Sequence, residues 1–408
     1  MSTLIDRFLR YVKVETTAVE LTDAYPSSPG QLLLGKMLAD ELRALKLPNV
    51  EHDAHGLVWA TVPANVPGAP TICWLAHVDT SPEFTGKGVN PIVHRGYDGA
   101  DIVLPGDPSR VIRVSDSPHL AKLKGKTIIT SDGTTLLGAD DKSGVAVIMT
   151  AVAHLMRDPS IKHGPIRILF TCDEEVGRGV AKVDLAKIGA VCAYTLDGDG
   201  EGQIENETFS ADVAAITIRG ANTHPGYGYR KMVNALRLAA QFIAHLPADR
   251  LAPEATKDKE GFIHPYTIEG GVDKVTIRAI LRSFVTAELD AQAALLREVA
   301  ARVTAAHPRA VIEVDIKKQY RNMGEHLGKE PRAVALAEKA YRRLGVEPVF
   351  KSIRGGTDGS RLSEMGLPTP NLSVGMHNFH SPLEFACLEQ MEQSVALLIE
   401  LAKLWGEQ

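Results

Sequence analysis

Five short segments hold most of the polar residues that directly follow apolar runs. They are His77-Val78-Asp79-Thr80, Gly138-Ala139-Asp140-Asp141-Lys142, Asp173-Glu174-Glu175, Leu196-Asp197-Gly198-Asp199 and Asn378-Phe379-His380-Ser381. Together they offer two histidines and several carboxylates, the imidazole nitrogens and carboxylate oxygens that a borderline cation such as Zn2+ takes as donors. Two such ions held close together need one carboxylate shared between them, and Asp140 is the natural bridge. Taken singly, each segment has a plainer role. His77 could be a core-edge histidine paired with Asp79, and Glu174 with Glu175 could be a helix start favoured by the N-terminal dipole. Asp140-Asp141 could be a helix cap, Asp197 a turn residue before glycine, and His380 a loop residue before Ser-Pro. The coincidence of all five in one chain, at strand ends and helix starts of one domain, is what points to metal chemistry.

Those segments need elements to carry them to one place. The apolar run 71–76 ends at His77, the run 166–171 ends just before the acidic cluster, and the run 191–196 ends at Asp197. Three buried strands would each deliver a ligand-type residue at the C-terminal end, where open α/β sheets place their sites. A helix over 144–156, with Val145, Ile148, Met149, Val152 and Met156 on one face, makes the crossover. Upstream, Leu33, Met37, Leu38, Leu42 and Leu45 recur at helix spacing within 31–46, and short strands follow at 50–53 and 57–62. The stretch 81–126, rich in Pro, Gly and Asp, is too long for an ordinary connection and reads as an inserted flap or hairpin.

From residue 212 the texture changes. A strand (214–219), a helix (232–246), two strands (262–269 and 274–282), a helix (287–306) and a strand (311–318) follow in the order βαββαβ, a self-contained ferredoxin-like sheet. An amphipathic helix over 388–404 closes the chain. The expected organisation is an α/β catalytic domain with a mixed sheet in two parts, 1–211 and 322–408, interrupted by a lid domain at 212–321.

Bulk properties bound the function. At 408 residues the chain exceeds what one hydrophobic core organises, and 44% apolar content can fill two. The net charge of −5 is spread along the sequence without a basic block, which argues against nucleic acid and against a membrane surface as partners. The N-terminal 1–16 reads as an amphipathic helix, with Asp6, Arg7 and Arg10 among its apolar residues, and not as a signal peptide. No stretch approaches the ~20 apolar residues of a membrane span. Cys73, Cys172, Cys192 and Cys387 sit in apolar contexts with no CxxC spacing, as free buried thiols in a reducing cytoplasm would.

The chain resembles the aminoacylase and carboxypeptidase superfamily of two-zinc amidohydrolases. Members carry a strand-end HxD, a bridging D-x-K segment, a Glu-Glu pair, a later Asp and a near-C-terminal His. Within that group the runs GADDKSG, TCDEEVGRG, YTLDGDGEG, NTHPG, MVNAL, IRGGTDGS and NFHSPLEF extend the likeness over essentially the whole chain, toward aminopeptidases of tripeptides. The resemblance implies a two-zinc exopeptidase fold with an inserted ferredoxin-like domain, two Zn2+ per chain and small peptides as substrates. It makes His77, Asp140, Glu175, Asp197 and His380 metal ligands, with His77 and Asp197 at one ion, Glu175 and His380 at the other, and Asp140 shared. Asp79 would accept the other imidazole N–H of His77. Glu174, the acid of the pair not needed by metal, would be the general base for a water bridging the ions.

The resemblance also implies that His224 in NTHPG polarises the scissile carbonyl, against the alternative of a surface turn histidine before proline. Arg354 offers a bidentate fork for a peptide carboxylate, against the alternative of a pair with Asp358. Asn322 and Arg282 near the domain junctions are further substrate candidates. A dipeptidase, carboxypeptidase or N-acyl amino acid deacylase on the same dimetal site is the alternative enzyme reading, and a metal-bound scaffold without catalysis is the reading from another class. The retained Glu174 argues against the scaffold. The sequence leaves a homodimer open.

Overall fold

A computed structural model describes residues 2–408. The chain divides into two compact units. One comprises Met1–Asn206, His326–Lys351 and Thr357–Gln408; the other comprises Glu207–Glu325 and Ser352–Gly356.

The first unit is built on a large mixed sheet. Its centre is four strands, in the order Ile166–Thr171, Ile72–His77, Cys192–Asp199 and Asn371–His377, each parallel to its neighbour. Val58–Val62 adds antiparallel on one side, and Phe385–Cys387, Ile128–Thr130 and Ile92–His94 add antiparallel on the other. The central strands are covered on both faces, as parallel strands must be. Ile72, Trp74 and Ala76 point into the main core with the helices Leu4–Tyr11, Ala139–Arg157 and Leu388–Gly406, while Cys73 and Leu75 point into a second core with Trp59, Leu169, Ile188 and Leu362. The mixed α/β architecture agrees with the sequence reading.

The helix expected over 144–156 begins earlier, at Ala139, and its first residues are irregular: Asp140 and Asp141 lie outside helical φ/ψ. Gly144 lets this helix press against the sheet, since a Cβ there would stand 1.9 Å from the Leu196 carbonyl oxygen. Within 81–126 lie Ile92–His94, which extends the large sheet, and the small antiparallel pair Ile102–Val103 and Val111–Ile112, closed over a core of its own with Leu104, Leu120 and Phe385.

The second unit is a four-stranded antiparallel sheet in the order Phe262–Gly270, Lys274–Ser283, Ser210–Arg219, Val311–Tyr320. The helices Ala235–Ala244 and Thr286–Ala306 intervene in the chain, which gives the βαββαβ order and the ferredoxin-like strand arrangement. Alternate residues Ala214, Ile216 and Ile218 meet Val275, Ile277 and Ala279, and the helices add Leu238, Phe242, Leu296 and Val303 to the same core. Among the described residues no helix is long and apolar enough to cross a membrane, and all four cysteines are buried and free.

Candidate metal centre and active site

The C-terminal ends of the central strands carry the candidate ligands. His77 is the last residue of its strand and is 3% exposed. Its Nδ1 faces Asp79, 3.1 Å from the backbone carbonyl and 3.5 Å from Oδ1. This turns Nε2 toward Asp140 Oδ1 at 3.0 Å and Asp197 Oδ1 at 3.6 Å. His380 approaches from the loop after Asn371–His377, with Nε2 2.9 Å from Glu175 Oε2 and 3.3 Å from Asp140 Oδ2. The two oxygens of Asp140 therefore face two different histidines. Asp173, Asn378 and His380, at φ of 62°, 53° and 59°, hold left-handed backbone without being glycine. Such strain gathers at functional sites.

Asp79 does more than orient His77. The Glu174-Glu175 pair lies in a turn closed by Gly177 N–H on the Glu174 carbonyl. The Asp79 carboxylate fastens that turn, accepting the Glu174 N–H at Oδ1 (3.1 Å) and the Glu175 N–H at Oδ2 (3.0 Å). From behind, Asp173 accepts from Ser27, Gln31 and Arg178.

The electrostatics are those of a site short of positive charge. Burial and the nearby Asp140 push Glu175 up to about 8 and Asp197 up to about 7. Burial also raises Glu174 and Asp141 well above the usual carboxylate range. Burial opposes charge on the imidazoles as well, yet their carboxylate partners hold His77 well above its usual range and bring His380 up to about 11. At Asp140 burial is outweighed by the hydrogen bonds from His380 and His77, and its carboxyl is held low. The Glu175 Oε1 is buried with no hydrogen-bond partner. An unpartnered carboxylate oxygen among crowded acids and imidazoles suits divalent cations. The donor atoms of His77, Asp140 and Glu175, and those of His77, Asp141 and Asp197, lie within 4.8 Å of one another.

Asp141, which the sequence offered only as part of a helix cap, enters the second cluster. Its oxygens accept backbone N–H groups, Oδ2 from His77 at 3.2 Å and Oδ1 from Gly144 at 3.2 Å, so it ties the helix start to the strand end. Other supporting residues were not assigned to the site from sequence, although Asp358 and Glu384 lie in the runs IRGGTDGS and NFHSPLEF. Asn371 accepts the Asp197 N–H and the Thr195 hydroxyl, and donates to Glu205. Asp358 accepts the Thr171 hydroxyl at 2.7 Å and is raised by burial to about 6. Glu384 receives backbone N–H groups from Leu137, Gly138 and Asp140.

The remaining candidates belong to the second unit. His224 is exposed and caps a short turn, its Nδ1 accepting from Gly226 N–H at 3.2 Å. Arg354 is not paired with Asp358; its guanidinium donates to the carbonyls of Asp258 and Glu260 and to Thr256, over the rings of Phe209 and Phe262. Arg282 donates to Gln319 and lies over Tyr320. Asn322 is buried, with its amide committed to Thr208, Gly324 and Phe284 backbone groups.

A model of peptidase family M20/M25/M40 matches residues 132–404. The match spans the helix start, the Glu-Glu turn, Asp197 and His380. The chain belongs to peptidase family M20/M25/M40. Membership in this family makes the protein a metallopeptidase, with peptides as its substrates. It is 45% identical over 405 residues to peptidase T of Geobacillus sp. strain WCH70, covering 99% of this chain and 98% of that protein. It is 44% identical over 406 residues to peptidase T of Bacillus subtilis strain 168, covering 99% of each. The crystal structure of aminopeptidase PepT from Bacillus cereus ATCC 10987 superposes with a TM-score of 0.75 at 27% identity, covering 99% of this chain and 98% of that one. A tripeptidase from Staphylococcus aureus shares the fold, with a TM-score of 0.79 at 22% identity over 99% of this chain and 98% of that one.

Proposed function

We propose that this M20-family enzyme is a two-zinc aminopeptidase that releases the N-terminal residue of tripeptides in the cytoplasm. One observation carries the reading: the two carboxylate oxygens of Asp140 stand 3.0 and 3.3 Å from the Nε2 atoms of two different histidines. That is the arrangement a bridging carboxylate needs. His77 and Asp197 would complete one position, Glu175 and His380 the other. When bound, the zinc pair supplies Lewis-acid polarisation of the scissile carbonyl and acidifies a water at the site.

The chain's own groups then divide the remaining work. Glu174, fixed by its backbone to Asp79, takes a proton from the attacking water and returns it to the leaving amine. Asp79 holds His77 in one orientation, with Nε2 free to ligate. His224 donates toward the developing oxyanion. Arg354 would read a peptide carboxylate by exchanging its present carbonyl partners. The relatives, an aminopeptidase and a tripeptidase among them, favour the amino terminus and the short chain.

A peptide panel tests this. Tripeptides with free amino termini should have far higher kcat/KM than tetrapeptides or N-acetylated tripeptides. Equal cleavage of blocked peptides would favour the deacylase or carboxypeptidase alternative, and equal cleavage of longer chains would remove the length preference.

A further inference from the structure

The helix that begins at Ala139 has an unusual entrance. Its N-cap position is Gly138, at φ 79°, and no side chain of that position caps it. The first N–H groups of a helix need acceptors from elsewhere. Here they find one in Glu384, which is 1% exposed and more than two hundred residues away in sequence. Its Oε2 accepts the N–H of Leu137 at 2.8 Å and of Gly138 at 2.7 Å, and its Oε1 accepts the N–H of Asp140 at 2.9 Å.

Glu384 lies four residues beyond His380, in a loop that is tied to itself. Its N–H donates to the Ser381 carbonyl, the Ser381 hydroxyl donates to the Asn378 carbonyl, and the Asn378 amide donates to the Leu383 carbonyl. A short, internally bonded path therefore runs from His380 to Glu384 and across to the backbone of Asp140. The two ends meet again where His380 Nε2 stands 3.3 Å from Asp140 Oδ2.

We propose that Glu384 is a positioning residue that sets the spacing between the Asp140 carboxylate and His380, and through that spacing the affinity of the site for metal. This rests on the reading of Asp140 as a ligand. Both oxygens of Glu384 are engaged, so the isosteric amide cannot replace the carboxylate. In Glu384→Gln one position becomes an NH2 group facing a backbone N–H, either at Asp140 or at the Leu137–Gly138 pair. Loss of an outer partner of a ligand typically costs ~10–100-fold in metal affinity. Glu384→Asp keeps the charge and withdraws it from the backbone N–H groups of Leu137, Gly138 and Asp140.

The test is zinc affinity of the full chain, stripped of metal and titrated against a chromophoric chelator, with the Co2+ absorption spectrum as a second readout of ligand geometry. Asp140→Ala is the reference for the ligand itself. Glu389→Gln is the reference for a merely structural role, since the Glu389 carboxylate likewise accepts a backbone N–H, that of Thr127, away from the ligands. Glu384→Gln and Glu384→Asp should bind zinc ~10–100-fold more weakly and shift the Co2+ spectrum, with near-UV circular dichroism of the metal-free protein retained. Glu389→Gln should leave zinc affinity unchanged. Wild-type zinc affinity in both Glu384 variants, with affinity lost in Asp140→Ala, overturns the proposal. Wild-type affinity in Asp140→Ala overturns the ligand reading instead. Should neither Glu384 variant fold even in the cold, the carboxylate is a global anchor and the positioning role is likewise rejected.

Discussion

Replacing Asp79 by asparagine changes one oxygen to an NH2 group at a fully buried carboxylate, with almost no change in volume. The native carboxylate accepts two backbone N–H groups, from Glu174 at 3.1 Å and Glu175 at 3.0 Å, one on each oxygen. Asparagine can accept only one of them, because its amide nitrogen would meet the other as donor against donor. A buried donor left without a partner costs about 1–3 kcal/mol. If that cost falls on the turn carrying both glutamates, the population holding the native turn drops by up to roughly 5- to 150-fold. This range brackets the ~10–100-fold loss of metal affinity usual when a ligand's outer partner is removed. Asp79→Asn should therefore lower kcat on a tripeptide at saturating zinc and weaken zinc binding together. The measurements are steady-state kinetics and a chelator-competition titration on the same preparation. A variant indistinguishable from wild type in both would refute the argument that Asp79 fastens the Glu174-Glu175 turn.

Glu174→Gln should keep its metal and lose ~10²–10⁴ in kcat, the usual contribution of a positioned acid/base, whereas Glu175→Gln should release metal; the reverse pattern in metal analysis would exchange the two roles. His224→Ala should retain metal and product binding but lose ~10²–10³ in kcat, as removal of one oxyanion donor does, and a wild-type kcat would return His224 to its turn-capping role. Glu205 predicts a pH dependence of stability. Burial, with Asp199 and Asp197 nearby, raises it from 4.5 to about 8, so the fold favours its neutral form. That stability is fully present below the unfolded value and is lost as pH rises through about 8. Glu205→Gln, melted in the metal-free state, should gain stability over wild type as pH increases from acid to pH 8; a constant difference across that range would mean that Glu205 titrates alike in the folded and unfolded chain.

Sequence reading reached the parts of this fold where one local pattern decides the outcome. The runs ending at His77, Thr171 and Asp197 are apolar on both faces, and the structure pairs them as parallel neighbours at the centre of the large sheet. The βαββαβ order is likewise written in alternations of period two and helical stripes. What escaped is what depends on contacts between distant segments. The start of the helix at Ala139 does not show in sequence because Asp140 and Asp141 are not helical, and the contacts that hold them come from elsewhere in the chain: Glu384 accepts the Asp140 N–H, and the Asp141 carboxylate accepts the His77 N–H. The turn at Glu174 leaves no local signal, because nothing nearby in sequence announces that Asp79 accepts the Glu174 and Glu175 N–H groups. Arg354 looked free for a substrate because its acceptors are backbone carbonyls, which leave no signature in sequence.

The central claim is that Asp140 is shared between two ions and that peptide hydrolysis requires both. Zinc should therefore be titrated into chelator-stripped protein while bound metal and tripeptide hydrolysis are followed on the same samples. The account predicts no hydrolysis without metal and activity that saturates at about two zinc ions per chain, with Asp140→Ala failing to reach that plateau. Full activity in metal-free protein, or saturation at one ion per chain with Asp140→Ala unimpaired, would contradict it.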